Sequence, residues 1–396
     1  MVRCKILGRE GLWFGILIFL FAGMVSKVEG QVVAGVERTE AYMPMLKGKR
    51  IGVVANNASV IKGVNTVDTL LALGCDVVKI FSPEHGFRKQ VGAGVEVGNK
   101  QDELTGIEII SLYGKNRKPS DEDLKGVDLM VFDIQDVGVR FYTYISTLSY
   151  LMEACAENGI PLFVFDRPNP NGFYIDGPVL DPKFSSFVGL HPVPVVYGMT
   201  IGEYARMVNG EGWLKDGIQC DLEVIQLENW THHTFLDTIE APSPNLPTLN
   251  SIYLYPSLCF FEGTDISVGR GTSFPFEVVG HPAMKGFSFS FTPVSIPGKS
   301  LHPPHEGELC LGLDLREFYK THSAMYGRIN LAWLMMAYKN MGSRSGFFNA
   351  YFDKLAGTDL LREQILKGSS DAEIRQSWQD GIERFKSVRE KYLLYK

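Results

Sequence analysis

The chain has 396 residues, of which 45% are hydrophobic and 21% charged, so it can bury a large core and is predicted to form two domains. Its formal net charge is −6. An acidic chain without basic runs is a poor candidate for a nucleic-acid-binding protein, and we expect no nucleic-acid partner.

The N-terminal segment has the pattern of a signal peptide. The basic residues Arg3, Lys5 and Arg9 precede an apolar stretch at 12–25 that is short for a membrane span. We predict a signal peptide at residues 1–30, an exported (periplasmic or extracellular) protein and no stable membrane insertion after cleavage. An uncleaved membrane anchor is the alternative.

Five cysteines follow this segment, each alone within an apolar run: Cys75, Cys155, Cys220, Cys259 and Cys310. The number is odd and there is no Cys-x-x-Cys pair. This pattern predicts buried free thiols rather than a disulfide framework or a metal site.

Short apolar runs alternate with helical patterns in the first half of the chain. The predicted strands are 51–55, 77–81, 107–112, 127–132 and 162–165, and the predicted helices are 66–73 and 143–157. Such alternation predicts an α/β fold with a parallel sheet covered on both faces.

After Gly172 the pattern is looser. It predicts strands at 193–197, 222–227 and 287–292 and helices at 201–209, 331–341 and 371–392. The Pro-rich stretch 241–248 reads as a surface connection, and we place the domain boundary near it.

Familiar cofactor and metal motifs are absent from the sequence. The turn after the first strand, Asn56-Asn57-Ala58-Ser59, holds no Gly-x-Gly-x-x-Gly pattern. There is also no P-loop and no His-Glu-x-x-His helix. We therefore predict no cofactor and no metal site.

Polar side chains follow four of the predicted strands, at the point where each strand ends. They are Asn56 and Asn57, Glu84 and His85, Asp133 and Asp136, and Asp166 and Arg167. Ligands bind outside the carboxyl ends of strands in open α/β sheets. The sequence therefore predicts that these residues form one rim of a cleft.

Glu84 and His85 are groups able to move protons, and both lie in the segment Phe81-Ser-Pro-Glu-His-Gly-Phe-Arg88. Glycoside hydrolysis needs one carboxylic acid that holds a proton and a second acid, base or stabilising group. Glu84 has apolar neighbours in sequence and suits the first role. A loop glutamate that caps a helix or pairs with Arg88 is an equal alternative.

The densest polar stretch is Asp133-Ile-Gln-Asp-Val-Gly-Val-Arg-Phe-Tyr-Thr-Tyr144. It could bind a polar ligand, with tyrosine rings against a sugar face, through five of its side chains: Asp133, Gln135, Arg140, Tyr142 and Tyr144. A structural Asp–Arg pair is the alternative. A divalent metal held by the carboxylates at the strand ends is a third interpretation, although their spacing is not diagnostic of any metal.

Two further motifs could contact a ligand. In Asp166-Arg-Pro-Asn-Pro-Asn-Gly172, the amides of Asn169 and Asn171 suit hydroxyl or acetamido groups, with a plain turn as the alternative. In Glu262-Gly-Thr-Asp-Ile-Ser-Val-Gly-Arg-Gly-Thr272, Arg270 lies between two glycines and could bind a carboxylate through two hydrogen bonds, with Glu262 as an additional carboxylate.

In this order, these motifs resemble the exo-β-N-acetylmuramidase (NamZ) family. The resemblance runs from about Ile51 to the end of the chain and includes Phe352-Asp-Lys-Leu-Ala-Gly-Thr358 and the ending from Trp378 to Tyr395. The turn Asn56-Asn57-Ala58-Ser59 departs from the Asn-x-Thr-Gly turn expected there.

The resemblance implies a Rossmann-like catalytic domain at residues 31–250 and a smaller α+β domain at 251–396 that completes the cleft. It implies release of N-acetylmuramic acid from the non-reducing end of peptidoglycan-derived oligosaccharides. Glu84 is then the general acid/base and His85 orients it or a sugar hydroxyl.

The second catalytic group stays open at this point. The substrate's acetamido group could act as the nucleophile, or Glu84 could pair with Asp136, Asp166 or Glu262. One arginine could bind the lactyl carboxylate of the sugar, and the candidates in order of preference are Arg270, Arg140 and Arg167. Asn57 is a further candidate for substrate binding.

Two other functions compete with hydrolysis of the glycan. A non-catalytic muropeptide-binding protein would bind ligand without forming product. A metal-dependent esterase or peptidase would lose activity with a chelator.

Overall fold

The computed structural model describes residues 30–88, 100–322, 325–344 and 346–396. The predicted signal peptide therefore lies outside the described residues, apart from Gly30. The fold described below belongs to one unit, Val32–Lys396. Its main hydrophobic core takes residues from both sides of the predicted boundary at 250, from Val54 to Phe385, and the division into two domains stays a prediction.

A seven-stranded sheet forms the centre of the first half, and six of its strands are parallel. In chain order, the first nine strands are β1 (Arg50–Ala55), β2 (Val60–Ile61), β3 (Val64–Asn65), β4 (Asp76–Ser82), β5 (Lys100–Gln101), β6 (Glu108–Ser111), β7 (Leu129–Asp133), β8 (Leu162–Phe165) and β9 (Leu222–Ile225). β2 and β3 form a separate hairpin.

The order of the sheet is β5-β6-β4-β1-β7-β8-β9, with β5 antiparallel at one edge. Counted along the chain, the six parallel strands have the order 3-2-1-4-5-6, which is that of the Rossmann fold. The order reverses beside β1, whose Val53 lies between Ile80 of β4 and Val131 of β7. The predicted Rossmann-like parallel sheet is confirmed.

Helices cover this sheet and build much of the second half. They are α1 (Thr39–Leu46), α2 (Thr66–Ala72), α3 (Asp121–Leu124), α4 (Tyr144–Asn158), α5 (Ile201–Gly210), α6 (Leu249–Leu258), α7 (Phe318–Thr321), α8 (Leu331–Asn340), α9 (Ala350–Ala356), α10 (Leu360–Lys367) and α11 (Asp371–Arg389). A 3-10 helix, Cys259–Gly263, continues directly from α6.

Three short strands form a second, antiparallel sheet in the order β10-β12-β11. They are β10 (Val278–His281), β11 (Phe289–Phe291) and β12 (Cys310–Asp314). With the surrounding helices they give the α+β character predicted for the C-terminal half.

One predicted strand is wrong. The apolar run Val193–Tyr197 is buried but is not a strand; Val196 makes only isolated bridges, to Asp176 and Val139. The run packs in the core, so burial rather than sheet pairing explains its composition.

The five described cysteines are buried and free, as predicted. Among the residues that the structure describes, no helix is both long and apolar enough to cross a membrane.

Candidate active site

A cleft of about 740 Å³ lies at the carboxyl end of β4 and is closed by segments from the second half of the chain. Of the predicted site residues, Glu84, Glu262 and Arg270 line it. The cleft is large enough to hold a small ligand or a short oligosaccharide.

Glu84 lies two residues beyond the end of β4, which stops at Ser82 because Pro83 cannot donate to a ladder. The next residue, His85, has a φ of 77°, which turns the chain away from the sheet. The Thr143 hydroxyl donates to Oε2 of Glu84 at 3.4 Å, and the Tyr144 hydroxyl donates to the Glu84 carbonyl at 3.3 Å. Thr143 therefore binds the carboxylate of Glu84 and Tyr144 binds its backbone, and Glu84 lines the cleft.

His85 is buried beside the cleft rather than in it. Its Nε2 lies 3.2 Å from the hydroxyl of Ser243, which belongs to the Pro-rich segment 241–248. His85 also lines a small cavity between Glu84 and Arg270. This position supports the loop that carries Glu84, and a role in orienting the carboxylate stays a prediction.

Opposite Glu84 lies a close ion pair. Nε of Arg270 donates to Oε1 of Glu262 at 2.5 Å, and the guanidinium also stacks 5.0 Å from the ring centre of Phe276. Burial is the largest single influence and lowers the pKa of Arg270, but the charge and hydrogen bond of Glu262, with smaller contributions from Tyr255 and Cys259, together outweigh it and the net shift is upward. Arg270 is thus held charged and in a fixed orientation at the cleft.

Two glycines make this arrangement possible. Gly271 has a φ of +80°, and a Cβ there would lie 2.6 Å from the Val294 carbonyl oxygen. Gly263 has no room for a Cβ either, because it would lie 2.4 Å from the Cα of Phe352. The second contact brings α9 directly against the 3-10 helix that carries Glu262.

Tyr351, in the first turn of α9, completes this side of the cleft. Asn349 caps the helix by accepting from the Tyr351 amide at 2.8 Å. The Tyr351 hydroxyl makes no hydrogen bond to a described residue, and its side chain lines the cleft with Glu84 and Arg270. Burial, with the nearby Cys259, Glu262 and Glu84, raises its pKa. The hydroxyl therefore stays neutral and is available to donate to a ligand.

Several predicted ligand-binding residues serve the fold instead. Asp133 and Arg167 form a buried ion pair, with Nε of Arg167 donating to Oδ1 of Asp133 at 2.6 Å. Thr66 donates to the same carboxylate at 2.5 Å. The structural Asp–Arg pair considered from the sequence is thus present, although Arg140 is not its partner.

Asp136 and Asp166 are buried and do not line the cleft. Burial raises the pKa of Asp136 to about 6 and that of Asp166 to about 7. Asp136 accepts from the Tyr197 hydroxyl, and Asp166 accepts from the Tyr395 hydroxyl at 2.5 Å. Through these hydrogen bonds, both carboxyls connect segments that are distant in sequence. Their positions away from the cleft offer no support for a catalytic role.

Arg140 is completely buried, which corrects its assignment to substrate carboxylate binding. Its guanidinium donates to four backbone carbonyls, at distances of 2.7–3.0 Å, from Pro178, Val193, Leu355 and Ala356. The last two end α9, so a cation lies at the C-terminus of that helix. Arg140 therefore positions the helix that carries Tyr351.

The remaining predicted residues also lie outside the main cleft. The side chains of Gln135, Asn169 and Asn171 donate to backbone carbonyls of the surrounding loops. The Tyr142 hydroxyl donates to the Pro242 carbonyl at 2.9 Å, and the Tyr144 hydroxyl lies 3.2 Å from the same oxygen. Asn57 does not line the cleft. These side chains shape the loops at the carboxyl end of the sheet.

The structure adds residues that the sequence did not single out as site residues. They are Tyr113, Arg117, Phe187, Tyr255, Lys299, Tyr351 and Lys354. Lys354 lies within the block Phe352–Thr358 that carries the resemblance, and Tyr351 directly precedes it, so this block was the available signal. Tyr255 lies in α6, and the others lie in loops with no recognisable pattern.

No group of three or more His, Cys, Asp or Glu side chains within the described ranges is arranged to hold a metal ion. Among the described residues that line the cleft, the carboxylates are Glu84 and Glu262. Asp133, Asp136 and Asp166, considered as metal ligands from the sequence, are each engaged by hydrogen bonds within the protein.

Two family models match the chain. The one described as the N-terminal part of exo-β-N-acetylmuramidase NamZ matches residues 51–250, and the one described as its C-terminal part matches residues 253–395. The chain is 41% identical over 374 residues to a Bacillus subtilis protein named peptidoglycan β-N-acetylmuramidase NamZ, covering 89% of each chain.

Two crystal structures of DUF1343 family proteins from Bacteroides fragilis are similar to the whole fold. The first is 47% identical with a TM-score of 0.85, and the second is 29% identical with a TM-score of 0.76. Each alignment covers 92% of this chain and 99% of the other.

Proposed function

The chain belongs to the exo-β-N-acetylmuramidase (NamZ) family of glycoside hydrolases, and from that premise we propose that it releases N-acetylmuramic acid from the non-reducing end of peptidoglycan fragments. The observation that carries the assignment of residues is the position of Glu84. It lines the cleft at a strand end, together with the Glu262–Arg270 pair and Tyr351.

Glu84 is the general acid in this proposal. It gives its proton to the glycosidic oxygen while the bond from that oxygen to C1 of the muramic acid breaks. Once deprotonated, the same carboxylate takes a proton from the water that completes hydrolysis. Thr143 and Tyr144 hold the residue in place for both steps.

Arg270 is the arginine best placed to bind the lactyl carboxylate. Of the three candidates, Arg140 and Arg167 are occupied by protein acceptors, whereas Arg270 lines the cleft. Glu262 fixes its orientation through Nε, which leaves the terminal nitrogens directed to a ligand.

Because Glu262 is already paired with Arg270, the substrate's own acetamido group is the favoured nucleophile. Glu262 is the second carboxylate among the described lining residues, and it is already bound to Arg270 and close to the Cys259 thiol, at 3.7 Å. A carboxylate so engaged is a weaker nucleophile than an unpaired one. The acetamido route needs no second nucleophilic side chain.

Replacing Tyr351 with phenylalanine is expected to lower kcat/KM by about tenfold, because the cleft loses one neutral donor beside Glu84. Steady-state kinetics on an aryl N-acetylmuramic acid glycoside measure this change. Tyr326→Phe is the matched control, since its hydroxyl also lacks a hydrogen bond to a described residue but lies away from the cleft. Equal kcat/KM values for Tyr351→Phe and wild type would show that the Tyr351 hydroxyl does not contribute to the reaction.

A chromogenic N-acetylmuramic acid glycoside, assayed with and without a chelator, tests the function itself. We expect release of the chromophore at the same rate in both conditions. Loss of activity with the chelator would favour a metal-dependent hydrolase. Saturable binding without product in an overnight digest would favour a muropeptide-binding protein.

The location of the protein belongs to the proposal as well. The basic and apolar pattern of residues 1–30 supports export with cleavage near Gln31. An exported hydrolase would meet its peptidoglycan-derived substrate outside the cytoplasm, without a nucleic-acid partner and without stable membrane insertion.

A further inference from the structure

The cleft has an excess of positive charge, although the chain as a whole is acidic. Four basic side chains line it, and two carboxylates oppose them. The basic residues are Arg117, Arg270, Lys299 and Lys354. Arg270 is paired with Glu262, whereas none of the other three forms an ion pair with a described residue. Three cations therefore line the cleft without a counter-ion among the residues that the structure describes.

Arg117 is held in place by an aromatic contact rather than by an acid. Its guanidinium lies 4.3 Å from the ring centre of Phe187, which in turn stacks on Tyr150. The neighbouring Lys118 forms ion pairs with the nearby carboxylates of Glu153, at 3.3 Å, and Glu157, at 2.7 Å. Arg117 is thus oriented by a ring face while its donors stay available to a ligand.

Lys299 and Lys354 come from two other segments. Lys299 lies in the loop between β11 and β12, where its carbonyl accepts from Asn245 at 3.2 Å. Lys354 lies one turn after Tyr351 on α9, on the same face of the helix. Unpaired cations that converge in a concave site raise the local concentration of anions.

Resting on the proposed function, we propose that Arg117, Lys299 and Lys354 form a second anion-binding region, which takes a second carboxylate of the glycan in addition to the one bound by Arg270. Muramic acid carries a carboxylate and alternates with uncharged N-acetylglucosamine. The second carboxylate thus belongs to the next muramic acid along the chain, as its free lactyl group or as the terminus of a short attached peptide. The preferred substrate is a trisaccharide or longer, with at least two carboxylates.

Two matched trisaccharides test this region. Both have the sequence N-acetylmuramic acid, N-acetylglucosamine, N-acetylmuramic acid; in one the lactyl carboxylate of the last (reducing-end) muramic acid is free, and in the other it is a neutral methylamide. We expect kcat/KM to be about tenfold higher for the first. The ratio should fall as sodium chloride rises from about 50 to 500 mM, because exposed charge pairs are screened.

Arg117→Gln is expected to bring the ratio of the two substrates close to one. Lys115→Gln is the control, because it removes the same charge from the same loop at a residue that does not line the cleft. A third trisaccharide, with a dipeptide on the lactyl group of the reducing-end muramic acid, identifies the source of the carboxylate. If its kcat/KM is higher than that of the methylamide, the region also binds a peptide carboxylate. If the two values are equal, the region requires the free lactyl carboxylate.

Equal kcat/KM values for the free and methylamide trisaccharides in the wild-type enzyme would overturn the inference. So would an Arg117→Gln variant that keeps its thermal stability and lowers both values by the same factor. Failure of the proposed function looks different, since no trisaccharide and no chromogenic substrate would then be cleaved.

Discussion

Replacing Glu84 with glutamine is expected to lower kcat by about 10²–10⁴-fold and to leave ligand affinity nearly unchanged. Glutamine has the same shape and can still accept from Thr143, but it cannot give a proton to the glycosidic oxygen. Steady-state kinetics on an aryl N-acetylmuramic acid glycoside give kcat, and calorimetric titration with N-acetylmuramic acid gives affinity.

The matched control is Glu122→Gln, which changes the same atoms at an exposed position that does not line the cleft. It should keep wild-type kcat. If Glu84→Gln retained near-normal turnover, Glu84 would not be the general acid. A large loss of thermal stability in Glu84→Gln would point to a structural role instead.

Replacing Arg140 with methionine is expected to lower the free energy of unfolding by about 3 kcal/mol or more. Methionine fills part of the space but removes the guanidinium from four buried backbone carbonyls, of which that of Val193 keeps the Leu180 amide as a donor. Two of those carbonyls end α9, so the change should also displace Tyr351 and lower kcat/KM. Urea denaturation followed by circular dichroism measures the stability change.

Arg50→Met is the comparison for that experiment. Arg50 forms an exposed ion pair with Asp128, and such pairs contribute about 0–1 kcal/mol. A similar, small loss of stability in the two variants would contradict the structural role given to Arg140.

The centre of the sheet was predictable because β1, β7 and β8 are buried on both faces. Runs such as Leu162–Phe165 are continuous apolar segments bounded by turn residues, and the structure has a strand with those bounds. The apolar run Val193–Tyr197 has the same appearance but packs without a sheet partner. An apolar run indicates that a segment is buried, but it does not distinguish a buried strand from a buried loop.

The position of Glu84 at a strand end was likewise predictable from Pro83 and the preceding apolar run. The direction of the other polar side chains was not. Asp133 ends β7 and Asp166 follows β8, so both lie at strand ends as Glu84 does, but each accepts from donors in distant parts of the chain and is buried. Sequence alone does not show whether a carboxylate finds a protein donor, because that depends on tertiary packing.

The far side of the cleft could not be derived from local patterns. Tyr351 lines the cleft with Glu262 because Gly263 allows α9 to approach the 3-10 helix, and because Arg140 binds the end of α9. These contacts join segments that are distant in sequence. The family resemblance marked the block that begins at Phe352, but it did not indicate which side chain faces the cleft.

The most direct test of the account is product analysis with a defined tetrasaccharide, (N-acetylmuramic acid–N-acetylglucosamine)₂, reduced at its last sugar. Mass spectrometry of a time course should show N-acetylmuramic acid and the reduced trisaccharide appearing first in equal amounts, with neither formed by Glu84→Gln. Initial release of disaccharides, or equal rates for wild type and Glu84→Gln, would contradict exo-acting hydrolysis by Glu84.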